Sequence, residues 1–428
     1  MFIFLYEKIS IPFTHITLGW TSIKLKNKRN KQMIKFLATV FTLVLLISFA
    51  AFTQESNTNI GGYGELHINV PEGSLKKEAD FHRFIIYLGH NFNEKWSLMS
   101  ELEIEHAGKE VELEQAYLEY RYSKALGFRA GVLLQPLGII NQYHEPPMFF
   151  GVERPNFEKS IIPTTWWENG IGIFGRINNE IDYTAQITSG LRADGFTAKD
   201  GIRGGRQKAI ESFSENPSFI GNINYTPMPE LKIGFGFFLG NSVPANDKRS
   251  GKIDADGFVS LGVGHLQYKL NQFELKAEYV FINIADVDKI NRAYPTITEK
   301  TVNQKFVDTG GDTLTIPTIQ KTSTPKNVAS MMDGFLLEGA YNFLPCLVET
   351  SEELWAFARL EKFNTQAEMP AGFVADTENN RTELTFGLSY KPVYNAVVKA
   401  DLQMFGNQKD GFGNNIKQFN FGIGYYFF

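Results

Sequence analysis

The chain is poor in cysteine, in long apolar runs and in charge of a single sign, and each shortage narrows what it is. One thiol, Cys346, excludes a disulfide framework. With no CxxC and no paired-histidine motif the common zinc folds are excluded too, so neither a redox cofactor nor a structural metal is expected. With 43% hydrophobic residues and a mean hydropathy of -0.19, the chain is too polar for a bundle of membrane helices, each of which needs about 20 apolar residues. The net charge of -5 and the lack of a basic stripe interleaved with aromatics disfavour a nucleic-acid partner. GxSxG is missing, and none of the seven histidines stands beside a serine in a strand-end motif, so no enzymatic activity is expected.

The one long apolar run, Phe36 to Phe49, follows Lys24, Lys26, Lys28, Arg29, Lys31 and Lys35 and precedes Ala50 and Ala51. Basic, then apolar, then small is the order of a secretory signal. Residues 1–53 are therefore expected to be an upstream extension plus signal peptide, with the true start at Met33 and cleavage between Ala50 and Gln54; the alternative is a single N-terminal anchor helix. The mature chain, 54–428, is one domain. Residues 1–53 hold seven Lys and Arg against the single acid Glu7, so export leaves the mature chain more acidic than the whole.

What is abundant is aromatic and alternating. The chain holds 37 Phe, 17 Tyr and 5 Trp, and from Gly62 to Phe428 apolar side chains recur at every second position in about sixteen segments of roughly 8–12 residues. Phe419, Phe421, Ile423, Tyr425 and Phe427 share one face of the last segment; Trp96, Leu98, Leu102 and Ile104 oppose Glu101, Glu103 and Glu105. Connections alternate between short (for example 178–180, 270–272 and 391–395) and long (135–167, 192–217, 241–257, 285–332), with only 107–110 short in a long slot. This pattern, with an even strand number, predicts an all-β fold: a transmembrane antiparallel barrel of about 16 strands. Tyr63, Trp96, Tyr120, Tyr122, Tyr225, Trp355, Tyr390, Tyr425 and Phe427 are the candidates for interfacial girdles.

If the apolar faces meet lipid, the opposite faces line the lumen. They carry the acids Glu101, Glu103, Glu105, Glu119, Glu274 and Glu278, together with Glu65, His67, Gln115, Gln186, Asn222, Asn224, Glu383, Asp401 and Gln403. The cations there are Arg83, Arg121, Arg129, Lys276, Arg381 and Lys399. So many ionisable groups require water rather than a dry core, and a sixteen-strand barrel is wide enough to hold an aqueous channel. The third long connection, 135–167, is too apolar to stand in solvent. Met148, Phe149, Phe150, Ile161 and Ile162 need a surface, so the loop is expected to fold inward, with His144, Glu153, Arg154, Glu158 and Lys159 bordering the constriction; the alternative is an external cap or a trimer-contact loop. The fourth loop holds a compact basic cluster, Lys199, Arg203, Arg206 and Lys208, suited to phosphate or carboxylate, to acidic lipopolysaccharide, or to solvent alone. Between Phe258 and Tyr268 the apolar phase slips near Gly264, as at a bulge.

Gly61 to Leu66, Gln115 to Tyr120, Arg129 to Gly138, Ala198 to Gln207 and the aromatic C-terminus together resemble the phosphate-selective porin O and P family, in particular its Bacteroidetes branch. The resemblance implies a sixteen-stranded, usually trimeric porin of the Gram-negative outer membrane, with an inward third loop, and a terminal Phe428 read by the outer-membrane assembly machinery. It also implies anion or phosphate selectivity, for which Arg83, Arg121, Arg129, Arg154, Arg203 and Arg206 are the candidate contacts. The lumenal residues depart from that pattern, with more carboxylates than cations. The function expected is passive diffusion of small hydrophilic solutes and ions through a channel set in lipid and lipopolysaccharide. The competing classes are a closed barrel with a structural or adhesive role, which predicts a plugged lumen, and a barrel enzyme.

Overall fold

The computed structural model describes residues 57–428 except 74, 213–214, 308–312 and 412–415; the signal-peptide reading lies outside the described residues. The alternating segments become strands in chain order: β1 (Asn57–Pro71), β2 (Glu78–Asn91), β3 (Trp96–Glu105), β4 (Glu110–Ser123), β5 (Leu126–Leu134), β6 (Trp167–Ile177), β7 (Ile181–Ser189), β8 (Pro217–Met228), β9 (Leu231–Asn241), β10 (Phe258–Leu270) and β11 (Phe273–Ile284). A separate hairpin, β12 (Thr296–Val307) with β13 (Thr313–Thr324), stands in the long connection that follows. The wall then resumes with β14 (Met331–Asn342), β15 (Glu353–Glu368), β16 (Asn380–Val393), β17 (Ala396–Asn407) and β18 (Ile416–Phe427). Short helices occupy three loops: α1 (Asn156–Ser160), α2 (Ala245–Arg249) and α3 (Val287–Ala293). Among the described residues no helix is long and apolar enough to cross a membrane.

Sixteen strands close into an antiparallel barrel. β1 pairs with β18 from Gly62↔Phe427 to Pro71↔Gln418, so the barrel wall has no open edge. β14 pairs directly with β11, which sets the β12–β13 hairpin outside the wall; the alternation had placed only one loop there. Short turns gather at one end and long connections at the other, with the three-residue turn His106–Gly108 as the exception.

The wall is apolar outside and charged inside. Phe128, Ile171, Phe219, Phe235, Tyr279, Phe281, Leu337, Phe386 and Phe419 are exposed on the outer face, while Glu65, Glu101, Glu278, Glu338, Arg359, Glu383 and Asp401 are buried on the inner one. Two girdle candidates are corrected: Tyr63 and Trp355 are fully buried inside, since each shares a face with lumenal charges, Glu65 and Arg359. Trp96, Tyr122, Tyr225, Tyr425 and Phe427 are exposed on the outside, and Tyr120 packs its ring 4.7 Å from that of Trp96.

The slip near Gly264 is also corrected. β10 holds unbroken register with both β9 and β11. It is apolar on both faces because Val259, Leu261 and Val263, with Val280 and Ile282 of β11, point inward and pack on the loops instead of facing water.

Register shifts lie elsewhere, and two of them change which side chains meet the lumen. Between Glu65↔Arg83 and Leu66↔Phe81 the extra residue is His82; between Glu101↔Gln115 and Leu102↔Leu113 it is Glu114. A bulge puts neighbouring residues on the same side of a strand, so His82 joins Arg83, and Glu114 joins Gln115, on the inner face.

Candidate functional site

The third connection crosses the lumen, as its composition requires. Leu137, Phe157, Ile161, Ile162 and Trp166 are essentially fully buried against Ile220, Phe238, Val263, Val280, Leu336 and Phe363 of the inner wall. Burying each such side chain contributes about 1.5–3 kcal/mol. Phe150 packs between Trp355 and Phe357 at ring separations of 5.3 and 5.9 Å. Met148, expected to be buried, is instead 51% exposed. Gly138 turns the chain inward at φ +72, where a Cβ would lie 2.7 Å from Ile162 Cδ1. Asn141 staples the loop's two ends, donating to the carbonyls of Gln135 at 2.7 Å and Trp166 at 3.1 Å and accepting from the Trp166 amide at 2.9 Å.

Wall carboxylates then take up the loop's backbone donors. Val152 N–H donates to Asp401 at 2.6 Å and Phe157 N–H to Glu361 at 2.8 Å; Lys399 donates to the Gly151 carbonyl at 2.8 Å and Asn156 to Glu383 at 2.7 Å. These anchors on β15, β16 and β17 face others on β1 and β4: Glu153 lies 3.0 Å from His67, and His144 Nε2 lies 3.1 Å from Glu114. The loop is thus tied to both sides of the barrel.

The loop's own titrating groups follow from these partners. Burial pulls the His144 imidazolium down, but the Glu114 carboxylate outweighs it and holds the group up at about 9. Burial raises Glu153, yet the hydrogen bond and charge of His67 bring it down to about 2. Glu158 is pushed up by burial, which the hydrogen bonds it makes with Glu278 and with the Ile140 amide at 3.1 Å only partly relieve.

The expected lumenal residues are on the inner face, but most of the cations there already have partners. Arg83 is buried between Glu65 at 2.7 Å and Glu103 at 3.4 Å, with Glu105 at 3.9 Å. Glu119 holds both Arg121 and Arg129 at 2.8 Å, and Arg129 also lies over the Phe174 ring at 4.1 Å. Lys276 is held by Glu274 at 3.1 Å and Glu338 at 3.6 Å. Glu101 accepts from Gln115 at 2.6 Å, and Glu278 faces Glu158. Arg381 reaches the Lys199 carbonyl and Asn379, while the Lys399 ammonium sits 3.6 Å over the Phe149 ring.

In the basic cluster of the fourth loop, Arg203, Arg206 and Lys208 are engaged within the protein. Arg203 donates to the carbonyls of Lys159, at 3.0 Å, and Thr164. Arg206 donates to those of Pro163 and Thr164, both at 3.2 Å, and of Thr165. Lys208 is bound by Glu112 at 2.5 Å, which leaves only Lys199 exposed. The cluster clamps the inward loop through its carbonyls.

Glu114, His82, Arg359, Glu361 and Glu338 escaped the sequence reading. The first two lie at bulges, which shift the period by one residue. The inner face of β15 mixes Trp355, Phe357 and Phe363 with Arg359 and Glu361, so its alternation points to neither environment. Arg359 lies 2.8 Å from Glu361 and 3.6 Å from Glu338, all three buried.

Polar cavities remain around the loop. One of about 630 Å³, bordered by Ser160, Lys199, Asp376, Arg381, Glu383 and Asn407, shares Asn156 and Lys159 with a second of about 230 Å³, bordered by His82, His106, Glu112, Arg154, Thr165 and Lys208. Toward the short turns a third, of about 370 Å³, is bordered by Arg121, Lys124, Arg129, Arg176, Asp182 and Lys232. Among the described residues Arg154, Lys159, Lys124 and Lys232 have no carboxylate at ion-pair distance.

No family model matches the chain. It is 34% identical over 361 residues to an uncharacterised protein of Aquifex aeolicus strain VF5, an alignment covering 82% of this chain and 76% of that one, and it belongs to the same family. In fold it is similar to the anion-selective porin from Comamonas acidovorans (TM-score 0.51, 10% identity, 87% of this chain and all of that one). It is likewise similar to OmpF of Salmonella typhi, solved with daunomycin (TM-score 0.52, 12% identity, 86% and 97% covered).

Proposed function

We propose that this member of the Aquifex protein's family is a porin of the Gram-negative outer membrane, passing small hydrophilic solutes and ions by diffusion. One observation carries the reading: a closed barrel, apolar outside and charged inside, is crossed by an anchored loop that narrows the lumen and leaves polar cavities around it, one of them toward the short turns. Strands of 9–16 residues span an apolar band of roughly 25 Å when tilted at about 40°. An apolar outer wall is stable against hydrocarbon, and closure satisfies the backbone there. The partners that follow are outer-membrane lipids and lipopolysaccharide, two further copies in a trimer, and the assembly machinery reading Phe428.

Selectivity is weak and leans toward anions. A phosphate ladder needs rows of free cations, and here carboxylates or carbonyls engage Arg83, Arg121, Arg129, Arg203, Arg206, Lys208 and Lys276. Arg154 and Lys159 remain to set the sign at the narrowing. A second reading, a plugged structural barrel, is favoured by the apolar cluster that fills the lumen between β8 and β15.

Single-channel recording of the refolded protein in a planar bilayer decides between them. Open steps with a reversal potential favouring anions, moved toward cations by Arg154→Gln with Lys159→Gln, support the porin. A folded, heat-modifiable barrel that carries no current refutes it.

A further inference from the structure

We propose that Asp80, His82 and His106 bind a divalent first-row transition-metal ion, of the zinc, nickel or copper type, on the pore wall near the long-loop end. Both imidazoles turn Nδ1 to the same carboxylate oxygen of Asp80, His106 at 2.7 Å and His82 at 3.2 Å, and the three ligand atoms lie within 4.8 Å of one another. Metal–ligand bonds of about 2.0–2.2 Å in tetrahedral array need ligand atoms ~3.3 Å apart: the His82–Asp80 pair is already near that spacing, and the His106–Asp80 pair must open by about 0.6 Å. Two imidazoles and one carboxylate suit borderline metals; calcium and magnesium prefer all-oxygen cages.

The fold brings the three together from two places. The β2 bulge at His82 keeps its side chain on the same inner face as Asp80, and His106 returns over the rim on the one long-slot connection that is a tight turn. No local motif announces this set, because its members lie on either side of β3.

The ligands are reachable. Their side chains are 25–37% exposed, and His82 and His106 border the 230 Å³ cavity. Support for His82 comes from His67, whose ring stacks on it at 4.6 Å while its own nitrogens are engaged by Glu65 and Glu153. Glu105 and Glu112 border the same cavity and offset the dication's charge against the loop's cations. Three protein ligands leave a coordination position open for water or a passing anion.

The test uses the folded full-length barrel in detergent without a histidine tag, so its outcome is independent of whether the protein conducts. Zinc titrated calorimetrically is expected to bind at one equivalent per barrel. His82→Gln with His106→Gln is expected to weaken it at least about tenfold, while His90→Gln leaves it unchanged. Copper(II) bound to the wild type is expected to show two imidazole nitrogens by electron paramagnetic resonance. Absence of saturable zinc binding overturns the proposal. So does zinc binding that survives in the folded double variant, which would place the ion elsewhere, as at Glu101, Glu114 and His144. If the double variant fails to fold, the copper spectrum decides, and fewer than two nitrogens refutes the site.

Discussion

His144 makes the docking of the inward loop dependent on pH. Its imidazolium is held up at about 9 against an ordinary 6.5, chiefly by Glu114 at 3.1 Å with Glu101 at 3.8 Å, despite burial that pulls the other way. The docked loop therefore binds this proton more tightly than a released loop does. The contribution is fully present below pH 6.5 and is lost as pH rises through about 9. A difference of about 2.5 in pKa corresponds to at most about 3.4 kcal/mol, or roughly two and a half decades in the docking equilibrium. Amide hydrogen exchange reads it: Tyr143, donating to the Ile140 carbonyl at 2.8 Å, and Met148, donating to Glu145 at 2.9 Å, flank the histidine. With the intrinsic pH dependence of exchange removed, their protection is expected to fall by up to about a hundredfold between pH 6 and pH 9.5. In His144→Gln, which keeps a hydrogen-bonding group but no charge, protection is lower at pH 6 and the fall shrinks to the smaller part carried by Glu158, which burial also raises. Equal falls in both proteins, or flat protection in the wild type, would refute the reasoning.

Other outcomes follow from contacts already described. Arg359→Leu takes the guanidinium from the buried carboxylate of Glu361 and leaves Glu338 with Lys276 alone, and is expected to destabilise the barrel by about 3–5 kcal/mol, read in equilibrium urea unfolding in lipid vesicles; a change below about 1 kcal/mol would show that Glu361 is solvated. Gly131→Ala places a Cβ 2.1 Å from the Ala116 carbonyl oxygen at φ +140, so the β4–β5 pairing must shift. Its refolding yield should drop sharply, whereas Gly264→Ala, with open space around it, should refold like the wild type. Arg203→Ala with Arg206→Ala removes charged donors worth about 1.5–3 kcal/mol each from the inward loop. Single channels of that variant should fluctuate more and conduct more, and an unchanged current trace would mean the clamp does not hold the loop in place.

Much of the fold could be read before any coordinates. Side chains alternate on a strand whatever surrounds it, so period two, the strand count and the order of short and long connections belong to the chain itself. The same logic sent 135–167 inward, because its aromatics had no other surface to cover. β10 escaped it: an inner face that packs on loops is as apolar as one that packs on lipid, and alternation cannot tell the two apart. Bulges escaped it as well, since one extra residue at His82 or Glu114 reverses the inside–outside assignment for everything beyond it.

The sequence by itself determined that there is a sixteen-strand wall, which face of most strands is charged, and that the third loop needs a surface. Only the tertiary structure decided which charges remain free. Arg83 is bound by acids on two neighbouring strands and Lys208 by an acid 96 residues away, while Arg203 and Arg206 are spent on loop carbonyls, so a list of lumenal cations is not a list of available ones. Electrostatic pairing depends on separations of a few ångströms across the lumen. Those separations are fixed by strand register, by single-residue bulges and by the path of the loop, and none of these is encoded in the local alternation that builds the wall.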